Sequence, residues 1–229
     1  SFSGAAIAPN SIVAAFGLNM ANGIQGAMTL PLPLNMLGTS VKVRDSAGVE
    51  RDASLFYVSP GQINYLVPAE TALGAATATV FRDNISVGSG QMQITPVAPG
   101  LFSANADGAG VAAANATRVV GESQTLEPII QPGIFPFVPL AIDLGPDDHQ
   151  VFLSFFGTGF RARSELGAVR VTIGGTDVPV AYAGPQGDFF GLDQLNVGPI
   201  PRSLIGRGIV DVLLTVDGIV CNRVQASFK

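Results

Sequence analysis

The chain has 229 residues, a net charge of −5 and only 13% charged residues, against 47% hydrophobic ones. This composition excludes a disordered chain, and the acidic balance argues against a nucleic-acid partner, since such binding needs Lys and Arg to neutralise phosphates. Glycine breaks the apolar runs well short of the ~20 residues that span a bilayer, so we expect no membrane insertion.

The frequent turn residues predict short strands. Twenty-eight Gly and 16 Pro leave no long uninterrupted helical pattern, and we therefore expect an all-β protein of two domains. With so few charges, much of the surface must be Ser, Thr, Asn, Gln and Gly, which suits a secreted or cell-surface protein. The sequence begins at Ser1 without an initiator Met, and we expect it to be an excised piece of a longer chain.

The first copy of a repeated pattern begins with the apolar strand "SIVAAFG". A Pro-rich loop follows, and then Val41 and Val43 alternate with polar residues before the turn "DSAG". Next come a Tyr-x-x-Pro turn, a Gln-x-Asn strand and a hairpin that turns at "RDN". The periodicity predicts a β-sandwich unit over residues 1–100.

The segment 101–145 belongs to neither copy. It contains a predicted hairpin, "LFSAN" and "GVAAAN", joined through Asp107 and Gly108, and then the extended "EPIIQPGIFPFVPL". A flexible linker would not carry so many large apolar side chains. We therefore expect a packed, Pro-rich connector between two sandwiches.

The second copy, residues 146–229, repeats the order of the first. "DHQVFLSFFGTGF" gives an apolar strand, Gly174-Gly175 a hairpin turn, "YAGP" and "DQLNVGP" the Tyr-x-x-Pro and Gln-x-Asn elements, and Asp217-Gly218 the last turn. A shared order of this length is hard to obtain by chance. The sequence therefore predicts a tandem duplication of a seven-stranded type of β-sandwich.

Several motifs together resemble a known family: "APNSIVAAFG", "LFYVSPGQINYLVP", "VAPGLFS", "FFGTGF" and "GLDQLNVGPIP". As a set they are similar to an uncharacterised C-terminal domain family of secreted soil-bacterial proteins. The resemblance covers nearly the whole chain. It implies immunoglobulin-like (IPT/TIG-like) sandwiches, a position at the end of a longer exported protein and no assigned activity. The chain departs from that pattern at an insertion between Pro185 and Gln194.

The paired amides are the most distinctive polar residues. Gln62 and Asn64 share one face of a strand, as do Gln194 and Asn196, because side chains alternate along a strand. One hypothesis is a recognition ledge for a sugar or peptide. We favour the alternative, structural amides that bond the backbone of neighbouring loops, because the pair occurs in both copies.

The insertion "GDFFGLD" is the candidate ligand contact. Phe189 and Phe190 are adjacent, so in a loop at least one ring is expected to face outward beside Asp188. The alternative is that both rings fold back onto the protein.

Other reactive side chains give weaker signals. His149 and Cys221 are the only residues of their types, too few for a His/Cys zinc site, and His149 is interpreted as a loop residue at a strand start and Cys221 as a small buried hydrophobe. Asp143, Asp147 and Asp148 could in principle hold calcium, but we favour a polar turn. We expect no metal and no cofactor.

The sequence therefore predicts a non-catalytic structural or interaction module at the C-terminal end of a secreted or cell-surface bacterial protein. Its expected partners are a protein or a carbohydrate at the cell surface and the upstream domains of the parent chain. The alternative is an adhesion module that binds carbohydrate through exposed loop aromatics. An enzyme is not expected, because no nucleophile, base and orienting group occur in a recognisable pattern.

Overall fold

A computed structural model describes residues 6–229, and residues 1–5 of the predicted first sandwich lie outside the described residues. The described chain is all-β, as the sequence predicts, with strands and two short 3₁₀ helices, Leu166–Ala168 and Arg202–Leu204. The strands are β1 (Ala6–Ile7), β2 (Ile12–Phe16), β3 (Gln25–Gly26), β4 (Thr39–Arg44), β5 (Glu50–Val58), β6 (Gln62–Leu66), β7 (Gly74–Arg82), β8 (Ile85–Ile94), β9 (Gly100–Leu101), β10 (Ala114–Val120), β11 (Ser123–Pro128), β12 (His149–Thr158), β13 (Val169–Ile173), β14 (Thr176–Val178), β15 (Val180–Pro185), β16 (Asp193–Val197), β17 (Gly208–Val216), β18 (Ile219–Val220) and β19 (Val224–Phe228).

The chain divides into two compact units. The first runs to Ala98 and also includes Phe189–Gly191, and the second comprises Pro99–Asp188 and Leu192–Lys229. The structure thus groups residues 101–145, predicted as a separate connector, with the second unit. The reason is backbone pairing, since β10 within this segment lies beside β12 over seven residue pairs.

The strands of the first unit follow the order β1-β8-β7-β4-β5-β6-β2, with β3 also on β5. Strand β5 pairs with β4 through its first half and with β6 through its second, so it passes from one sheet into the other. Buried side chains from both sheets, among them Val41, Ile63 and Met92, form one hydrophobic cluster. The two sheets therefore enclose a common core.

The second unit also consists of two sheets. One sheet has the order β11-β10-β12-β16-β15, with β9 on β12, and the other has the order β14-β13-β17-β18, with β19 on β17. Phe155 in β12 and Leu214 in β17 are both fully buried. Alternate residues along these strands face inward, so the intervening residues form the outer face of each sheet.

The predicted turns lie where glycine, aspartate or asparagine adopts a positive φ. Gly174 and Gly175 connect β13 to β14, and both have positive φ, which glycine adopts without strain. Asp83 and Asn84 also have positive φ where β7 turns into β8.

The predicted hairpin around Asp107 and Gly108 is present as a short antiparallel contact. Ser103 and Ala112 form an isolated bridge, and the Ala104 and Ala113 N–H groups donate to the Val111 and Phe102 carbonyls. A second, longer hairpin is β10–β11, which turns at Gly121. The sequence did not predict the β10–β11 hairpin.

Candidate ligand-binding face

The two amide pairs have the same geometry in both units. The Gln62 side-chain NH₂ donates to the Asn64 side-chain oxygen over 2.8 Å, and Gln194 donates to Asn196 over 2.8 Å. All four side chains are half-buried. The amides therefore bond each other rather than the backbone of a neighbouring loop, because residues two apart on one strand face share the same side of the sheet.

The neighbours of the amide pairs also correspond. In the first unit Phe16 lies opposite Gln62, and Tyr57 lies opposite Asn64. In the second unit Phe156 lies opposite Gln194, and Tyr182 lies opposite Asn196. A bulge also lies just before each tyrosine, between Leu55 and Tyr57 in the first unit and between Val180 and Tyr182 in the second. An extra residue at each bulge re-aims the tyrosine onto the amide face.

The second unit extends this arrangement into a row across four strands. Asn115 on β10 lies opposite Ser154 on β12, Ser154 opposite Asn196 on β16, and Asn196 opposite Tyr182 on β15. With ~4.8 Å between neighbouring strands, four strands span about 14 Å. We call these four residues the polar row.

The outer face around the polar row carries no Asp, Glu, Lys or Arg on its strands. Its outward positions are Asn115, Thr117 and Val119 on β10, Gln124, Leu126 and Pro128 on β11, Gln150, Phe152, Ser154 and Phe156 on β12, Tyr182 and Gly184 on β15, and Gln194 and Asn196 on β16. Amides and hydroxyls supply both hydrogen-bond donors and acceptors. We call this surface the amide face.

Tyr182 lies across a glycine on the amide face. Its hydroxyl donates to the Pro185 carbonyl over 2.5 Å, and a Cβ atom added at Gly184 would come within 3.0 Å of that hydroxyl and 3.4 Å of Arg163 Nη1. Gly184 therefore makes room for both side chains beside the polar row. In the sequence Asn196 and Tyr182 belong to repeated motifs, but nothing marked Asn115, Ser154 and Arg163 as their neighbours, because these positions are far apart along the chain.

A buried ion pair holds the start of β16, where Gln194 and Asn196 lie. The Asp193 side chain is fully buried, and Arg161 Nε donates to Asp193 Oδ1 over 2.7 Å. The backbone N–H groups of Phe160 and Arg161 donate to Asp193 Oδ2 over 2.8 and 3.1 Å. Burial raises the pKa of Asp193, and these bonds oppose the rise.

The predicted ligand contact at 187–193 is a closed loop. The Gln186 N–H donates to the Leu192 carbonyl over 3.0 Å, and the Gln186 side chain bonds both the backbone N–H and the carboxylate of Asp188. The Phe189 and Phe190 side chains are 68% and 51% exposed. Their role as a ligand contact stays a prediction.

The aspartates proposed for calcium point to different partners. Asp143 pairs with Lys229 over 3.4 Å, Asp147 with Arg202 over 3.0 Å, and Asp148 lies 4.0 Å from His149 Nε2. Over residues 6–229, no group of three His, Cys, Asp or Glu side chains is placed to hold a metal ion.

The two single-copy residues lie in β-structure or beside it. His149 lies at a strand start, as predicted, but it is the first residue of β12 and half-buried rather than a solvated loop residue, with Nδ1 3.4 Å from Arg118 Nη1. Cys221 is buried, and burial raises its pKa to about 11. In the part of the chain that the structure describes, no helix has the length and apolar character needed to cross a membrane.

Comparison with known proteins gives no family and no curated relative: no family model matches the chain, and no curated protein does. Among solved structures, SGBP-B of the Bacteroides ovatus mixed-linkage glucan utilization locus, in complex with a mixed-linkage heptasaccharide, is 11% identical with a TM-score of 0.33, over 98% of this chain and 44% of that one. InvD of Yersinia pseudotuberculosis is 10% identical with a TM-score of 0.24, over 96% and 57%. The I9–I11 tandem of titin is 8% identical with a TM-score of 0.19, over 96% and 94%.

The chain thus spans about half the length of the first two of these structures.

Proposed function

We propose that the chain is a non-catalytic, carbohydrate-binding module of an exported or cell-surface bacterial protein, and that the amide face of the second unit contacts the glycan. The observation that carries the proposal is the polar row, four residues in register across β10, β12, β16 and β15. Sugar hydroxyls donate and accept hydrogen bonds, so they match a row of alternating amide and hydroxyl groups.

Aromatic side chains on the same face support a sugar as ligand. Phe156 lies opposite Gln194, and Tyr182 ends the polar row. An aromatic ring presents an apolar surface to the C–H groups of a pyranose, while the neighbouring amides bond its hydroxyls. A row about 14 Å long would contact a few successive sugars of an extended chain.

The second unit is the better candidate of the two. At the position of Ser154 the first unit has Ala14, which cannot form a hydrogen bond through its side chain. The same amide pair in the first unit therefore lies in a shorter polar row. This difference supports a binding role for the second unit and a structural role for the pair in the first.

The second candidate function is a purely structural tandem of immunoglobulin-like sandwiches at the C-terminal end of a longer exported protein, packed against the upstream domains of its parent chain. The recurrence of the amide pair and the bulge in both units favours it, because an element needed for folding is retained in each copy of a duplication. The low charge content suits export in both proposals.

Binding to a panel of soluble polysaccharides, measured by affinity electrophoresis, tests the proposal. We expect Asn196→Ala and Ser154→Ala to weaken binding, and Asn64→Ala, which removes the equivalent amide of the first unit, to leave it unchanged. Equal losses from Asn64→Ala and Asn196→Ala would place the contact elsewhere. Release of sugar products during incubation would contradict the non-catalytic assignment.

The exposed phenylalanines give a separate arm of the same assay. Phe189→Ala and Phe190→Ala test the notion that the loop 187–193 supplies the contact. If these changes abolish binding and Asn196→Ala does not, the loop rather than the amide face holds the glycan. If neither the native chain nor any variant binds any of the polysaccharides, the structural tandem is favoured.

A further inference from the structure

Arg163 is a cation at the edge of the amide face, and it forms no ion pair with an acid among the described residues. Its Nη1 would lie 3.4 Å from a Cβ atom at Gly184, the outward position opposite Gln194. A Cβ there would also lie 3.0 Å from the Tyr182 hydroxyl. The guanidinium and the tyrosine hydroxyl thus border the same point, at the end of the polar row.

The hydrogen bonding of Arg163 is incomplete. Its Nε is buried and has no hydrogen-bond partner within residues 6–229, and no carboxylate of those residues lies within 4.0 Å of its guanidinium. Two half-buried arginines of the same unit differ, since Arg118 pairs with Glu127 and Arg161 with Asp193. A buried N–H without a partner is costly, and its presence shows that the guanidinium of Arg163 lacks the internal acceptor that Arg118 and Arg161 have.

The charge distribution also distinguishes Arg163 from its surroundings. The net charge is −5, yet the outward positions on the strands of the amide face carry no charged side chain, and Arg163 supplies a positive one at their edge. A guanidinium matches a carboxylate, since its planar N–H groups can bond both oxygens. The face around it offers neutral donors and acceptors suited to hydroxyls.

We propose that the amide face binds an acidic polysaccharide, with the carboxylate of a uronic acid on Arg163 and the hydroxyls of adjoining sugars on Asn196, Ser154 and Asn115. This inference rests on the carbohydrate-binding function proposed above and names its substrate class. In the first unit the segment after β2, which corresponds to the segment after β12 that holds Arg163, comprises residues 17–24 and contains no arginine. Acidic glycan binding is therefore a property of the second unit.

Isothermal titration calorimetry with two hexasaccharides tests the inference, using hexagalacturonate as the acidic probe and cellohexaose as the neutral one. We expect the chain to bind hexagalacturonate more tightly than cellohexaose, and Arg163→Gln to weaken hexagalacturonate binding ~10-fold, as expected for loss of a hydrogen bond to a charged group. The control is Arg170→Gln, which removes an exposed arginine from β13 in the other sheet. It should leave the affinity unchanged.

Salt and a conservative variant separate charge from packing. Raising NaCl from about 0.05 M to about 0.5 M should weaken hexagalacturonate binding by the native chain and have less effect on Arg163→Gln. Arg163→Lys retains the cation and should lose less affinity than Arg163→Gln. Equal losses from both substitutions would overturn the proposal by indicating a packing role.

The outcomes also distinguish this inference from the proposed function. If cellohexaose and hexagalacturonate bind equally, or if Arg163→Gln binds hexagalacturonate like the native chain, the acidic specificity is overturned while carbohydrate binding stands. If neither hexasaccharide binds and the polysaccharide panel is also negative, both are overturned. Circular dichroism of each variant must match that of the native chain.

Discussion

Arg161 Nε lies 2.7 Å from Oδ1 of Asp193, whose side chain is fully buried at the start of β16. Removing the carboxylate by Asp193→Ala leaves Arg161 Nε and two backbone N–H groups without their acceptor. We expect a loss of about 3 kcal/mol in the free energy of unfolding, the usual cost of breaking a buried ion pair. Urea denaturation measures it. Asp177→Ala, an exposed aspartate on β14, should change stability by less than about 0.5 kcal/mol.

The pH dependence of the Asp193 contribution has a definite sign. Burial raises the pKa of this carboxyl above the 3.8 of an exposed aspartate, so the folded state holds the proton more tightly than the unfolded state. The contribution of Asp193 to stability is then largest below pH 3.8 and declines as the pH rises through the folded pKa. We expect the stability advantage of the native chain over Asp193→Asn to shrink with rising pH. An advantage that grows with pH would show a lowered pKa instead.

Asp45 should show the opposite slope. Its carboxylate accepts from the backbone N–H groups of Ala72, Val49 and Ala47 and pairs with Arg51. The Ala72 bond is the largest cause of a lowered pKa for Asp45, although burial opposes it. Its stabilisation is therefore present above pH 3.8 and lost as the pH falls through the folded pKa.

Denaturation of Asp45→Asn between acid and neutral pH measures this contribution. The midpoint should drop relative to the native chain at neutral pH, and the difference should narrow in acid. Asp52→Asn, an exposed aspartate on β5, is the matched control and should follow the native curve. A difference between Asp45→Asn and the native chain that is constant with pH would contradict the prediction.

The amide pairs should contribute equally to the two units. Gln62→Ala and Gln194→Ala each remove one half-buried amide hydrogen bond of 2.8 Å. We expect each change to cost about 1 kcal/mol in the free energy of unfolding. Chemical denaturation of both variants provides the comparison, and a cost more than twice as large in one unit would indicate that the two amides serve different purposes.

The thiol of Cys221 should be unreactive in the folded protein. Burial raises its pKa to about 11 from 9.0, which lowers the thiolate fraction near neutral pH about 100-fold, and the thiolate is the nucleophile. Reaction with a disulfide reagent at mild alkaline pH should be slow in the native chain and complete at once in denaturant. Fast modification of the native chain would show that the thiol is accessible.

Sequence reasoning predicted those features that depend on residues close together along the chain. Alternation of Val41 and Val43 with polar residues, the glycine turn at Gly174 and Gly175, and the common face of Gln62 and Asn64 all follow from the two-residue period of a strand and from the conformational freedom of glycine. The all-β class follows from the same signals repeated along the chain.

Other features depended on pairing between distant segments. The placement of residues 101–145 with the second unit came from the pairing of β10 with β12, and no local pattern shows which strand a neighbour will be. The ion pair likewise joins distant segments, because Arg161 lies in the loop after β12 and Asp193 is the first residue of β16.

The amide face shows most clearly which features follow from local sequence and which follow from pairing between distant segments. By itself the sequence determined that Gln194 and Asn196 share a side of one strand, since that follows from the geometry of a single extended segment. Only the tertiary structure decided that Asn115, Ser154 and Tyr182 join Asn196 in a row and that Arg163 lies at its edge. The physical reason is register: a slip of one residue between two strands turns every side chain to the opposite face, and here the bulge before Tyr182 sets that register.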